Sequence, residues 1–234
     1  MKRFLCILLA LTLVGSLLLF GGCGKKTNDP ASDAAKIADE PQGPPTDDDF
    51  DIQVVESDDG YAVRKVLIIT NNYPSTVGIE ASGVAKDASG AELDTSDDEI
   101  RALAPGRTGM ISLYFTGGVS DAEITYEMEY NAEPEYEDAT PNLTYTDKVE
   151  KDGNKATVTV DVTNNGDAPA EFVTAHLVLF DADGALMTMT DNQVYTKAND
   201  YKIQPGETVS NSIEITVYSD FDHYDLYLEG VVSE

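Results

Sequence analysis

The sequence predicts an all-β protein built of two consecutive β-sandwiches. Three observations carry this. Apolar and polar residues alternate with a period of two over most of the chain past residue 50. Clusters of Gly, Pro, Asp and Asn separate the alternating runs at short intervals. The same order of features is written twice, on either side of an acidic, proline-containing stretch.

Phe50, Ile52 and Val54 share one face, with Asp51 and Gln53 on the other, so this run is a strand. Asp58-Asp59-Gly60 then signals a hairpin, because glycine accepts the positive φ of a tight turn. Tyr61 to Thr70 is β-branched and aliphatic, a second strand. Val77, Ile79, Ala81, Gly83 and Ala85 alternate with polar residues before Asp87-Ala88-Ser89-Gly90 turns the chain. Thr95 to Glu99 reads as an acidic loop. Pro105-Gly106 is a turn, Met110 to Phe115 a strand, and Ile124 to Tyr130 alternates again.

Asn131 to Pro141 is acidic and holds two prolines, which predicts a fairly extended linker, residues 132–141. It separates a first domain, 50–131, from a second, 142–234. In the second, Ala156, Val158, Val160 and Val162 alternate with four polar residues, the clearest strand of the chain. Val173, Ala175, Leu177 and Leu179 form the next inner face. Gly184 to Thr196, Thr208 to Tyr218 and Tyr224 to Gly230 complete the domain. No run past the tether has helical period with cap signals.

The duplication can be measured by offsets. Asn72 and Asn165 are 93 apart, Asp87 and Asp181 are 94 apart, and Pro105 and Pro205 are 100 apart. The second copy therefore gained about six residues near Asn192 to Tyr201, which a surface loop tolerates at little entropic cost.

Ahead of the domains, Met1-Lys2-Arg3 is basic and Phe4 to Phe20 is uncharged and apolar. These features describe an export signal over residues 1–22, with a single anchoring membrane helix as the alternative. Phe20-Gly21-Gly22-Cys23 resembles a bacterial lipobox, with Phe20 where Leu is usual. That resemblance implies lipidation of Cys23 and anchorage by buried acyl methylenes, about 0.8 kcal/mol each. Residues 23–49 contain one large aliphatic residue, Ile37, and read as a disordered tether. The chain after Cys23 has no cysteine, so no disulfide is expected and the cores must come from packing.

The formal net charge is −28; removing residues 1–22 takes away Lys2 and Arg3 and no acid, leaving −30. Both nucleic acid and anionic headgroups repel such a chain. Solubility at a crowded surface explains the acidity, as does binding of cations or of a basic partner.

Leu177-Val178-Leu179-Phe180-Asp181-Ala182-Asp183-Gly184 resembles the core motif of FxLYD-type domains, with Leu177 in place of Phe and Phe180 in place of Tyr. Asn164-Asn165 and Pro205-Gly206 also fit the pattern. The first copy, Gly83-Val84-Ala85-Lys86-Asp87, keeps only Asp87 and Gly90 of it. The resemblance implies two tandem immunoglobulin-like β-sandwiches on a lipoprotein of the bacterial surface. It implies no activity.

Candidate sites are few. Asp181 and Asp183 resemble the opening of a calcium loop, but position 192 is Asn where a bidentate Glu would close it, so an ordinary hairpin turn is the better reading. The two histidines, His176 and His223, stand apart from any nucleophile motif, and no catalytic residue or cofactor is assigned. Twelve tyrosines, among them Tyr126, Tyr130, Tyr224 and Tyr227, offer stacking faces or serve as sheet residues. The segments that differ between copies are the natural binding loops: Asp94, Asp97, Asp98 and Glu99 in the first, Asp191, Asn192, Tyr195 and Tyr201 in the second. The expected role is binding or scaffolding at the cell membrane, through the lipid anchor and an unidentified protein or envelope ligand. The alternative is a solute- or cation-binding accessory subunit of an envelope enzyme or transporter.

Overall fold

The computed structural model describes residues 43–195, 200–217 and 220–233. Cys23, the signal segment 1–22 and tether residues 23–42 lie outside the described residues. The described chain is all-β, with antiparallel sheets.

The first sandwich pairs two three-stranded sheets. One holds β1 (Phe50–Asp58), β2 (Val63–Asn71) and β5 (Thr108–Phe115) in the order β1-β2-β5. The other holds β3 (Val77–Lys86), β4 (Glu92–Leu103) and β6 (Glu123–Asn131) in the order β4-β3-β6. The second sandwich repeats this topology. β7 (Leu143–Asp152), β8 (Lys155–Asn164) and β12 (Thr208–Thr216) form one sheet. In the other, β9 (Ala170–Phe180) pairs with β10 (Leu186–Gln193), β11 (Lys202–Ile203) and β13 (His223–Val232). Period-two alternation buries one face of each sheet. Leu67, Ile69, Ile79, Ile111 and Phe115 fill the first core, and Val158, Val160, Leu177, Leu179 and Ile203 fill the second.

The duplication extends to individual hydrogen bonds. Asn71 is fully buried; its Nδ2 donates to Ser75 O (3.0 Å) and Leu103 O (2.7 Å), and its Oδ1 accepts from Tyr73 N (2.8 Å). Asn164 makes the same clamp, donating to Ala168 O and Ile203 O (2.9 Å each) and accepting from Gly166 N (2.9 Å). Each clamp thus satisfies a turn and ties it to a strand of the opposite sheet, leaving no buried amide unpaired. Gly106 N and Gly206 N donate to the backbone oxygens of the same two asparagines, which gives the Pro-Gly turns their place.

The reduced motif of the first copy also has a packing reason. A Cβ on Gly83 would lie 2.7 Å from Phe115 Cζ. Phe115 fills the volume that Leu177, the counterpart of Gly83, occupies in the second copy, where Ile215 stands opposite. Core volume is conserved by a large-for-small exchange between facing sheets.

A third apolar cluster joins the copies. Val66 and Ile68 of β2 and Met110 of β5 meet Val178 and Phe180 of β9, Leu186, and Met189 of β10. These side chains lie on the outer faces of their own sandwiches. This accounts for the unbroken apolar runs Val66 to Ile69 and Leu177 to Phe180, which are strands buried on both faces. The counterparts of Val66, Ile68 and Met110 in the second copy are Thr159, Asp161 and Ser210, and that face stays polar. The contact joins non-equivalent faces, and the polar counterparts prevent it from repeating.

Two boundaries differ from the expectation. The linker is not an extended spacer: Ala139 N donates to Gly230 O (3.0 Å), and Val232 N donates to Glu137 O (2.8 Å). Asp138, 3% exposed, accepts from Ala104 N (2.8 Å) and Thr140 N (2.7 Å), so it fastens the first copy to the second. The composition that suggested extension instead supplies a carboxylate for orphan amides of both copies. The end of the expected tether is likewise built in. Asp47–Asp49 form a 3-10 turn, Tyr73 Oη donates to Gly43 O (2.9 Å), and Tyr130 Oη donates to Asp47 (2.7 Å). The matching turn of the second copy is Thr140–Asn142.

Candidate functional site

The acidic segment Thr95 to Glu99, expected to be a loop, is part of β4, and Asp94, Ser96 and Asp98 of that strand seal the sandwich. β5 spends one edge on β2; on its other edge Ser112 N donates to Asp98 (2.8 Å), Tyr114 N to Ser96 Oγ (2.9 Å) and Thr116 N to Asp94 (2.7 Å). Polar side chains at every second position of β4 thus pair the backbone of an edge strand, which protects it from pairing with other chains. Accepting from backbone amides holds the Asp94 carboxyl below the usual range, whereas burial pushes Asp98 up. Asp97 and Glu99 point outward, and Glu99 pairs with Arg101 (3.3 Å). Of this predicted set, Asp94 and Asp98 are therefore structural.

Asp191 and Asn192 also lie on a strand, β10. Asn192 Nδ2 reaches Ser212 O (3.3 Å), a bridge between sheets like that of Asp98. Asp181 Oδ1 accepts from Asp183 N (2.9 Å) and Ala185 N (2.8 Å), while Gly184 adopts φ 78°. That is a hairpin turn stabilised by its own aspartate, matched by Asp87 in the first copy. Among the described residues, no group of three or more His, Cys, Asp or Glu is placed to hold a metal ion.

The histidines are far from equivalent. His176 lies on the outer face of β9, 13% exposed, with Nε2 3.4 Å from Glu229. His223 stacks on Phe180 at 5.0 Å and sits 3.1 Å from Asp222. Among the described residues, neither bonds a serine or threonine hydroxyl. Tyr126 and Tyr130 pack against the first core, and Tyr130 stacks on Phe50 at 4.6 Å. Tyr224 packs against the second core and Tyr227 against the seam. Burial and a neighbouring aspartate push both phenols up to about 12.

Tyr195 and Tyr201 are brought together. Their ring centroids are 4.7 Å apart and the planes tilt by 56°. With Phe172 of β9 they line a cleft of about 270 Å³, rimmed by Glu171, Gln193 and Asp200. Phe172 and Tyr201 remain 46% and 54% exposed and stand side by side in this cleft. Strain is concentrated in the same place. The non-glycine residues with positive φ among the described residues are Phe172 (52°), Asp200 (55°) and Tyr201 (65°), and all three line this cleft. Each costs on the order of 1 kcal/mol or more, and such outliers cluster at functional sites. Arg101 of the first copy lies over the Phe172 ring at 4.9 Å, and Lys202 pairs with Glu171 at 3.3 Å. Phe172 was not singled out from sequence; the signal was a Phe out of phase with the inner-face alternation of β9. The equivalent position of the first copy, where Gly78 stands for Phe172 and Arg101 for Tyr195, is also a cleft, of about 550 Å³, but it lacks the tyrosine pair that brackets the insertion.

No protein-family model matches the chain, nor does any curated protein. Solved structures that the chain matches include red sea bream transglutaminase, 12% identical over 79% of this chain and 31% of that chain, with a TM-score of 0.25. A calcium-binding mutant of Bacteroides uniformis β-glucuronidase 2 is 12% identical over 67% of this chain and 22% of its own, with a TM-score of 0.21. Apo β-glucuronidase from Ruminococcus gnavus is 12% identical over 74% of this chain and 35% of its own, with a TM-score of 0.17. The chain spans about a third or less of those enzymes, and likeness this weak carries no functional argument.

Proposed function

We propose that the protein is a lipid-anchored extracytoplasmic protein of the FxLYD type that binds a ligand at the cell surface without catalysis. The observation that carries the binding role is the Phe172–Tyr195–Tyr201 cleft, where exposed aromatic surface and backbone strain coincide. The Cys23 lipobox motif supports the anchor, and the tether would hold the cleft away from the bilayer. The acidic surface keeps the protein off anionic headgroups.

Two measurements test this. Cys23→Ala should move the protein from the membrane to the soluble fraction and abolish incorporation of a labelled fatty acid; retention of both would refute the anchor. A photo-crosslinking residue at Tyr201, in intact cells, should give adducts that one at Thr159 on the polar outer face of β8 does not. Equal adducts from both positions would refute the cleft as the binding surface.

A further inference from the structure

We propose that the cleft is a cage for an organic cation, an alkylammonium or guanidinium head group; this rests on the binding role proposed above. Tyr195 and Tyr201, whose rings lie 4.7 Å apart at a tilt of 56°, and Phe172 line one cleft. Ring faces carry negative potential, so converging rings attract cations, and quaternary ammonium groups are the usual guests of such cages. The rim carries two carboxylates, Glu171, which pairs with Lys202 at 3.3 Å, and Asp200.

The protein also shows the chemistry on itself. Arg101 places its guanidinium 4.9 Å from the Phe172 centroid while its Nε pairs with Glu99 at 3.3 Å. One face of Phe172 therefore already holds a cation, and the ring stays 46% exposed for a second contact. A chain of net charge −30 after residue 22 concentrates cations near its surface and hastens their encounter.

Calorimetric titration of the full chain with tetramethylammonium chloride, and separately with a short peptide carrying one trimethyllysine, tests the proposal. Binding of the free cation alone points to a small solute, and binding of the peptide at least about tenfold more tightly points to a protein partner; both sustain the cage. The uncharged isostere 3,3-dimethylbutan-1-ol should bind at least about tenfold more weakly, because the cation–π attraction is lost. Tyr201→Ala should weaken cation binding about tenfold, and Tyr201→Phe should keep it within about twofold, since the ring face and not the hydroxyl is used. Tyr201 is 54% exposed, so both variants keep the fold, which a melting curve verifies. Equal affinity for the neutral isostere, or no effect of Tyr201→Ala, overturns the cation cage. If cation binding is absent while the Tyr201 crosslinks persist, the cage is wrong and the binding role stands.

Discussion

Replacing Asn164 by alanine tests the reading of the fold most directly. Asn164 is 1% exposed and makes three side-chain hydrogen bonds of 2.9 Å, to Ala168 O, Ile203 O and Gly166 N. Each contributes a net ~1 kcal/mol, and the buried Ile203 carbonyl would be left without that donor, adding roughly 1 kcal/mol or more. The expected loss is thus about 3–5 kcal/mol. With a urea m-value of about 2 kcal/mol/M the unfolding midpoint should fall by roughly 1.5–2.5 M. The neighbour Asn165 is exposed and bonds Thr144 Oγ1 at 2.9 Å, so Asn165→Ala should cost under about 1 kcal/mol. Asn164→Asp should be at least as damaging as alanine, because an oxygen would face the two carbonyls that Nδ2 now satisfies. Urea denaturation followed by far-ultraviolet circular dichroism measures all three. Equal, small shifts for Asn164→Ala and Asn165→Ala would refute the clamp.

Gly83→Ala should cost about 1–3 kcal/mol through overpacking on Phe115, and Phe115→Ile in the same chain should recover part of that loss, read as a coupling energy in a thermal double-mutant cycle. Phe180→Ala should cost about 3–4 kcal/mol although Phe180 lies outside both sandwich cores; a loss below about 0.5 kcal/mol in the same melts would mean the copies do not share a seam. The pH response combines opposite signs. Asp98 and Asp138 have folded pKa values raised above 3.8 by burial, so they oppose folding at neutral pH and this opposition fades as pH falls through their folded values. Asp59 and Asp94 are held below 3.8 by backbone amides, and Asp87 by the Ser89 hydroxyl and then by backbone amides, so their stabilisation is present above that pH and is lost only at stronger acid. Asp98→Asn should therefore raise the melting temperature at pH 7, with the gain shrinking toward pH 4; a gain that grows on acidification would contradict the assignment.

The sequence by itself determined what period-two alternation and local turn chemistry encode. Strand identity, the hairpin turns at Gly60, Gly90, Gly153 and Gly184, and the duplication all follow from residues close in sequence. The paired asparagines were legible as a repeated signature, but not which of each pair is buried, since that depends on carbonyls about thirty to forty residues away. Asp94 to Glu99 misled because acidic residues are poor strand formers in isolation; their side chains pay for the strand by capping amides of β5, a contact made only after the sheets face each other. Tertiary structure alone decided how the copies meet. The apolar runs Val66 to Ile69 and Leu177 to Phe180 announced burial on both faces, but nothing local says that the second face of one run covers the second face of the other. The cleft has the same origin. Tyr195 and Tyr201 were readable as variable loop residues, whereas Phe172 joins them because the fold sets its outward, left-handed position on β9 beside the insertion.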